Sequence, residues 1–231
     1  QDTTRNVLMG QLREIYDGKL EKQFGTGKKV SWVGKVTVLA GSTHAVHEMR
    51  QKYAAMGERF VFYDLEQPDR HEAGFKSLDN SESGEIINQR NHLMGLASEY
   101  LNNINVPKNL LKVSPELREA TVNLAEMATR ARSSVIRDWK TREIVEVYPS
   151  EMPTRFTASL IIMGRGLAVI NFNETGQMVL LEEDNKILHK ITLDSIPMTR
   201  RKVMQELSRY SILETAGLAL KLDLPASAVN R

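Results

Sequence analysis

Cysteine is absent from this 231-residue chain. That excludes a disulfide scaffold and a thiolate metal site, and it fits a reducing compartment. No apolar run approaches the ~20 residues that cross a bilayer, and no signal peptide is visible in the sequence, so no membrane partner is expected. Net charge is lacking too. Thirty-one Lys and Arg against 29 Asp and Glu leave +2, too little to argue for any partner by itself. A phosphate loop is also missing. Its pattern is Gly, four residues, Gly-Lys and a hydroxyl residue opening a helix. At Gly27-Lys28, Lys22 stands where the first glycine belongs, Lys29 where the hydroxyl belongs, and a β-rich segment follows.

What remains is ordinary globular material, 41% hydrophobic and 26% charged, long enough for a core or for two domains. The chain begins at Gln1 and stops at Arg231 inside a helical pattern, so a piece of a longer protein is expected.

Residues 3–17 read as a helix, with Val7, Leu8, Leu12 and Ile15 at helical spacing and Asp17-Gly18 as its stop. A loose hairpin should follow, turning at Gly25-Thr26-Gly27, with Lys28 and Lys29 at or beside its tip. Lys19, Lys22, Lys28, Lys29 and Lys35 face the single acid Glu21 in this stretch. A solvated turn and a contact with nucleic-acid phosphate are the two readings of Lys28 and Lys29.

Residues 36–40 are predicted as a buried strand covered on both faces. It ends in Gly41-Ser42-Thr43, at the edge where open α/β sheets collect ligands. The hydroxyls can equally cap the helix expected over residues 44–56. Residues 60–63 read as a second strand, with Arg59 just ahead of it; a surface ion pair is the plainer use of that arginine.

Residues 67–84 read as a polar loop. An apolar stripe from Ile86 through Leu93 to Ile104 predicts a helix. Ser114-Pro115-Glu116 opens another, with Leu117, Thr121, Leu124, Ala128, Ala131 and Val135 as its stripe. The basic residues from Arg130 to Arg142 are diluted by acids and read as a solvated helix face. Pro153 starts a helix whose stripe is Phe156, Leu160, Met163, Leu167 and Ile170. Arg155 sits near its N-terminus, where a cation is electrostatically misplaced unless it meets an anion. The acids after Gly176 open a further helix with Ile187, Leu188 and Ile191 inward. The remaining helices, around Leu207, Leu218 and Ala226, have the spacing of a helix-turn-helix or of a plain three-helix unit.

In this order the residues resemble the C-terminal half of an AAA+ ATPase of the minichromosome-maintenance-like helicase type, close to forms encoded by phages and other mobile elements. Leu12 to Gly18 with the hairpin resembles the helix and pre-sensor hairpin that meet DNA in the central channel. Val38 to Thr43 resembles the sensor-one strand, and Gly57-Glu58-Arg59-Phe60 with Asp64 the arginine-finger segment. Pro153-Thr154-Arg155 resembles sensor two, and the last residues resemble a winged-helix appendage. Thr43 stands where many relatives have Asn. The family's phosphate loop and Mg²⁺-binding acidic strand lie N-terminal to the matched part.

The resemblance implies an α/β fold: a partial AAA+ core over residues 1–85, a helical lid over 86–194, and the start of a winged helix over 195–231. It implies ATP and Mg²⁺, held by residues upstream of Gln1, and a DNA-bound homo-oligomer, a hexameric ring, in the cytoplasm. It assigns Arg59 to the γ-phosphate of a neighbouring subunit, Thr43 to the attacking water, Arg155 to the phosphates, and Lys28 and Lys29 to the DNA backbone. The same core also serves replication initiators and transcription regulators that recognise DNA through their C-terminal helices. An inactive structural subunit is the third expectation.

Overall fold

The computed structural model describes residues 2–23, 25–43, 46, 59–67, 69–109, 112–133, 135–141, 143–210 and 213–225. Among them the chain is α/β but mostly helical, with eight helices and two small antiparallel sheets. The elements run α1 (Asp2–Tyr16), β1 (Lys19–Gln23), β2 (Lys29–Val33), α2 (Arg70–Ser83), α3 (Glu85–Asn103), α4 (Pro115–Ala131), β3 (Val135–Arg137), β4 (Ile144–Val147), α5 (Thr154–Thr175), α6 (Glu182–Asp194), α7 (Met198–Arg209) and α8 (Thr215–Lys221). Two compact units hold them. The first comprises Gln1–Phe60 with Ser134–Tyr148, and the second Val61–Ser133 with Pro149–Arg231.

In the first unit, α1 ends where expected, and β1 pairs antiparallel with β2 from Lys19 opposite Val33 to Gln23 opposite Lys29. Gly18 makes the turn between helix and ribbon possible. Its φ is 84°, and a Cβ there would lie 2.9 Å from the Gly34 carbonyl, an approach only glycine tolerates. The expected strand at residues 36–40 is not formed. Val36, Val38 and Leu39 are exposed and have no partner strand among the described residues. A β-branched run becomes a strand only when neighbours take up its backbone groups. The helix expected over residues 44–56 lies outside the described residues, except Val46, whose N–H donates to the Thr43 carbonyl at 3.1 Å.

The basic stretch after Arg132 is not a helix face. It forms the β3–β4 hairpin, and Val135, expected on the helix stripe, lies in its first strand. The Asp138 carboxylate accepts from the Lys140 N–H at 2.7 Å and the Thr141 N–H at 2.8 Å. The Thr141 bond first, then that of Lys140, holds its pKa below the ordinary carboxylate value. Because the folded pKa is depressed, the turn's stabilisation is present above the unfolded value and lost as pH falls through the folded one. An NMR titration should therefore move the Lys140 and Thr141 amides together, at a midpoint below that of a free aspartate. A midpoint at the ordinary value would disprove the capped turn.

The second unit has its core where α4, α5 and α6 meet: Ala125 and Ala128, Phe156 and Leu160, Leu188 and Ile191, closed by Ile196. Ser114 caps α4 by accepting from the Leu117 N–H at 3.3 Å, with Pro115 in the first turn. Buried Thr129 and Thr192 return their hydroxyls to the carbonyls of Ala125 and Leu188, which satisfies them without a distant partner. Inside the α5–α6 turn, Asn171 donates to Asp184 at 2.6 Å, and Asp184 accepts the Leu181 N–H at 2.7 Å. Helix α5 has 22 residues and a most apolar window of mean hydropathy 1.3, the length and composition of a bilayer-crossing helix. Phe156, Leu160, Ala168 and Val169 are buried in this unit, whereas Ile170, expected inward, is exposed.

Three further expectations change here. The loop read over residues 67–84 is mostly α2. Asp69 accepts from the His71 and Glu72 N–H groups at its start, and Gly84, at φ 64°, ends it in the left-handed region. Strong caps outweigh the poor helix formers Gly74 and Asn80 inside it. Helix α3 forms as predicted, but none of its residues is buried. Residues 60–63 are extended without being a strand.

The Phe62 N–H donates to Ser195 Oγ at 3.4 Å, and the Asp64 N–H to Asp194 Oδ2 at 2.9 Å. Lys190 donates to the Asp64 carbonyl and to Asp194, both at 2.8 Å, and lies over the Tyr63 ring at 4.7 Å. Arg201 bonds Asp64 at 3.1 Å and also Asp194. Side chains from α6, α7 and the turn between them thus replace a sheet partner. The third helix of the expected helix-turn-helix falls on residues 226–231, outside the described ones.

Candidate functional site

The β1–β2 ribbon presents the basic stretch to solvent. Gly27, at φ 77°, closes the turn; Lys28 lies in it and Lys29 begins β2, both exposed. Lys19 pairs with Glu21 at 2.8 Å. That hydrogen bond, and then the carboxylate's charge, raise the Lys19 pKa. Such a ribbon can lay its cations along a phosphate backbone.

At the ribbon's base stands Asp17, between α1 and β1. Arg59 approaches it side-on, with Nη2 at 2.9 Å from Oδ2 and Nε at 3.3 Å from Oδ1. The arginine side chain is 12% exposed, whereas that of Asp17 is 52% exposed. An ion pair open to water on its acidic side contributes little stability, about 0–1 kcal/mol. Asp17 was legible only as a helix stop, because 42 residues separate it from Arg59 and nothing local signals the pairing. Thr43 is exposed, and its carbonyl accepts from Ser42 Oγ at 3.2 Å.

In the second unit, Arg155 is exposed in the first turn of α5. That helix has no side-chain cap on its first N–H groups and no acid in its first turn. Uncapped N–H groups, the positive end of the helix dipole and a guanidinium together suit a phosphate. Just beneath, Arg132 is buried. It forms an ion pair with Glu151 and stacks over the Phe156 ring at 4.7 Å. None of its guanidinium nitrogens makes a directional hydrogen bond among the described residues, so charge and stacking hold it. This arginine was read as part of a solvated face; one side chain in a basic run carries no sign that it turns inward.

Among the described residues no group of three or more His, Asp or Glu side chains is placed to hold a metal ion. No protein-family model, curated protein or solved structure matches the chain.

Proposed function

We propose that the chain is the C-terminal part of an ATP-driven DNA helicase or translocase of the AAA+ type, in which ATP is hydrolysed between subunits of a ring. The observation that supports this reading best is the Arg59–Asp17 pair. It links the residue assigned to a neighbour's γ-phosphate with the base of the basic ribbon assigned to DNA.

Phosphoryl transfer needs charge stabilisation and positioning more than covalent chemistry. A carboxylate and a phosphate both suit the planar fork of arginine. Arg59 can therefore exchange Asp17 for a phosphate at small cost. The exchange draws this arginine away from the ribbon's base, so nucleotide state reaches the ribbon through the Arg59 side chain. Arg155 and the α5 N-terminus hold phosphate, the exposed Thr43 hydroxyl orients water, and Lys28 and Lys29 grip the DNA backbone. ATP and Mg²⁺ are bound by residues upstream of Gln1.

The test is the salt dependence of DNA binding. Removing Lys28 and Lys29 together (Lys28→Ala with Lys29→Ala) should flatten the slope of log K against log salt by about two units, near one per lost phosphate contact. The loss should be the same on unrelated sequences. An unchanged slope would remove the ribbon from the DNA interface, and protection confined to one sequence would favour an initiator or regulator instead.

A further inference from the structure

Helix α3 carries a feature that the proposed ATPase does not use. Its 19 residues include none that is buried, yet Ile86, Ile87, Leu93, Met94, Tyr100 and Leu101 are between 42% and 67% exposed on it. These fall into two seven-residue series, 86–93–100 and 87–94–101, which adjoin on one helix face. A contiguous apolar stripe of this kind marks an interaction surface. The helix is also anchored at one end. Just past its C-terminal end, the Asn105 N–H donates to Asn173 Oδ1 at 2.8 Å, and Asn173 Nδ2 donates to the Asn105 carbonyl at 2.9 Å.

We propose that α3 pairs antiparallel with α3 of a second copy of this chain. A second copy fits because the stripe complements itself about a two-fold axis level with Gly95. Reversed and laid on itself, it sets Leu93 against Ala97 of the other copy, a large residue against a small one. Ile86 then meets Ile104, and the two Met94 side chains flank the axis.

Charge selects the direction. Arg90 is the one charged residue within the stripe, since Glu99 lies nine residues on, about 180° around the helix. A parallel pair would stack Arg90 against Arg90 in the seam, two like charges with neither water nor a counter-ion. The antiparallel pair instead sets each Arg90 over the Tyr100 ring of the other copy, a favourable cation–ring contact.

The test uses this chain as it is. Sedimentation should show a dimer at micromolar concentrations, and Leu93→Glu should weaken association at least about a hundredfold by burying a charge in the seam. Because Leu93 is already exposed in the single chain, the variant should keep its far-ultraviolet helix signal. The absence of cysteine allows single-cysteine cross-linking against a clean background. Met94→Cys should link two chains through a short bismaleimide. Ile86→Cys should not, because the antiparallel register separates the two sites by 18 residues of helix, about 27 Å. A chain that stays monomeric, including one whose stripe is covered by a different protein, overturns the proposal. So does a dimer indifferent to Leu93→Glu, a failure of Met94→Cys to link, or a link through Ile86→Cys.

Discussion

Asp194→Ala should shift the urea unfolding midpoint of the helical signal down by about 1–2 M, a loss of about 3 kcal/mol. Asp194 has a side chain only 6% exposed and sits where three elements meet. It accepts from Lys190, from Arg201 and from the Asp64 N–H. Removing it leaves the Arg201 guanidinium, 16% exposed, with Asp64 as its acid among the described residues. It also takes away the carboxylate that accepts from the Asp64 N–H at 2.9 Å, and losing the acceptor of a shielded donor costs about 1–3 kcal/mol. Asp194→Asn keeps an oxygen for that N–H while discarding the charge, so its midpoint should fall between the two. If Asp194→Ala unfolds at the midpoint of the parent, the cluster does not hold the extended segment in place.

The second large effect concerns Arg59. In a protein that joins this chain to a phosphate loop, Arg59→Ala should lower the rate of ATP hydrolysis about 10³-fold or more while leaving ATP affinity nearly unchanged. Arginine fingers are worth that much in phosphoryl-transfer enzymes that use them. Arg59→Lys should rescue little, because an ammonium cannot make the side-on double contact that Arg59 makes to Asp17. Asp17→Asn separates the two jobs proposed for the arginine. It discharges the carboxylate opposite Arg59 without touching the guanidinium, so hydrolysis should persist in that variant while its dependence on DNA weakens. Normal turnover in Arg59→Ala would end the assignment. Equal DNA dependence in Asp17→Asn would end the link to the ribbon.

Local chemistry made several elements legible from residues alone. Ser114-Pro115 opens α4 and Asp17-Gly18 ends α1 as their caps require, and the glycines between two lysine-rich runs turn the β1–β2 ribbon. Each depends on groups within a few residues of one another. The apolar period of α3 likewise announced a helix, but period says nothing about what lies against it, and the stripe is exposed. The run at residues 36–40 has the composition of a buried strand and remains unpaired, since strand formation depends on chain far away in sequence.

The same limit applies to the candidate site. Lys28 and Lys29 lie exposed on the ribbon and Arg155 in the first turn of α5, positions that order and local composition already indicate. Their partners were beyond reach. Asp17 meets Arg59 across 42 positions, and Arg201 meets Asp64 across 137. Residues alone set the caps, turns and helical periods, because those energies are local. Which charge is buried against which, and which apolar face is left uncovered, depended on packing among distant segments, and tertiary structure alone decided it.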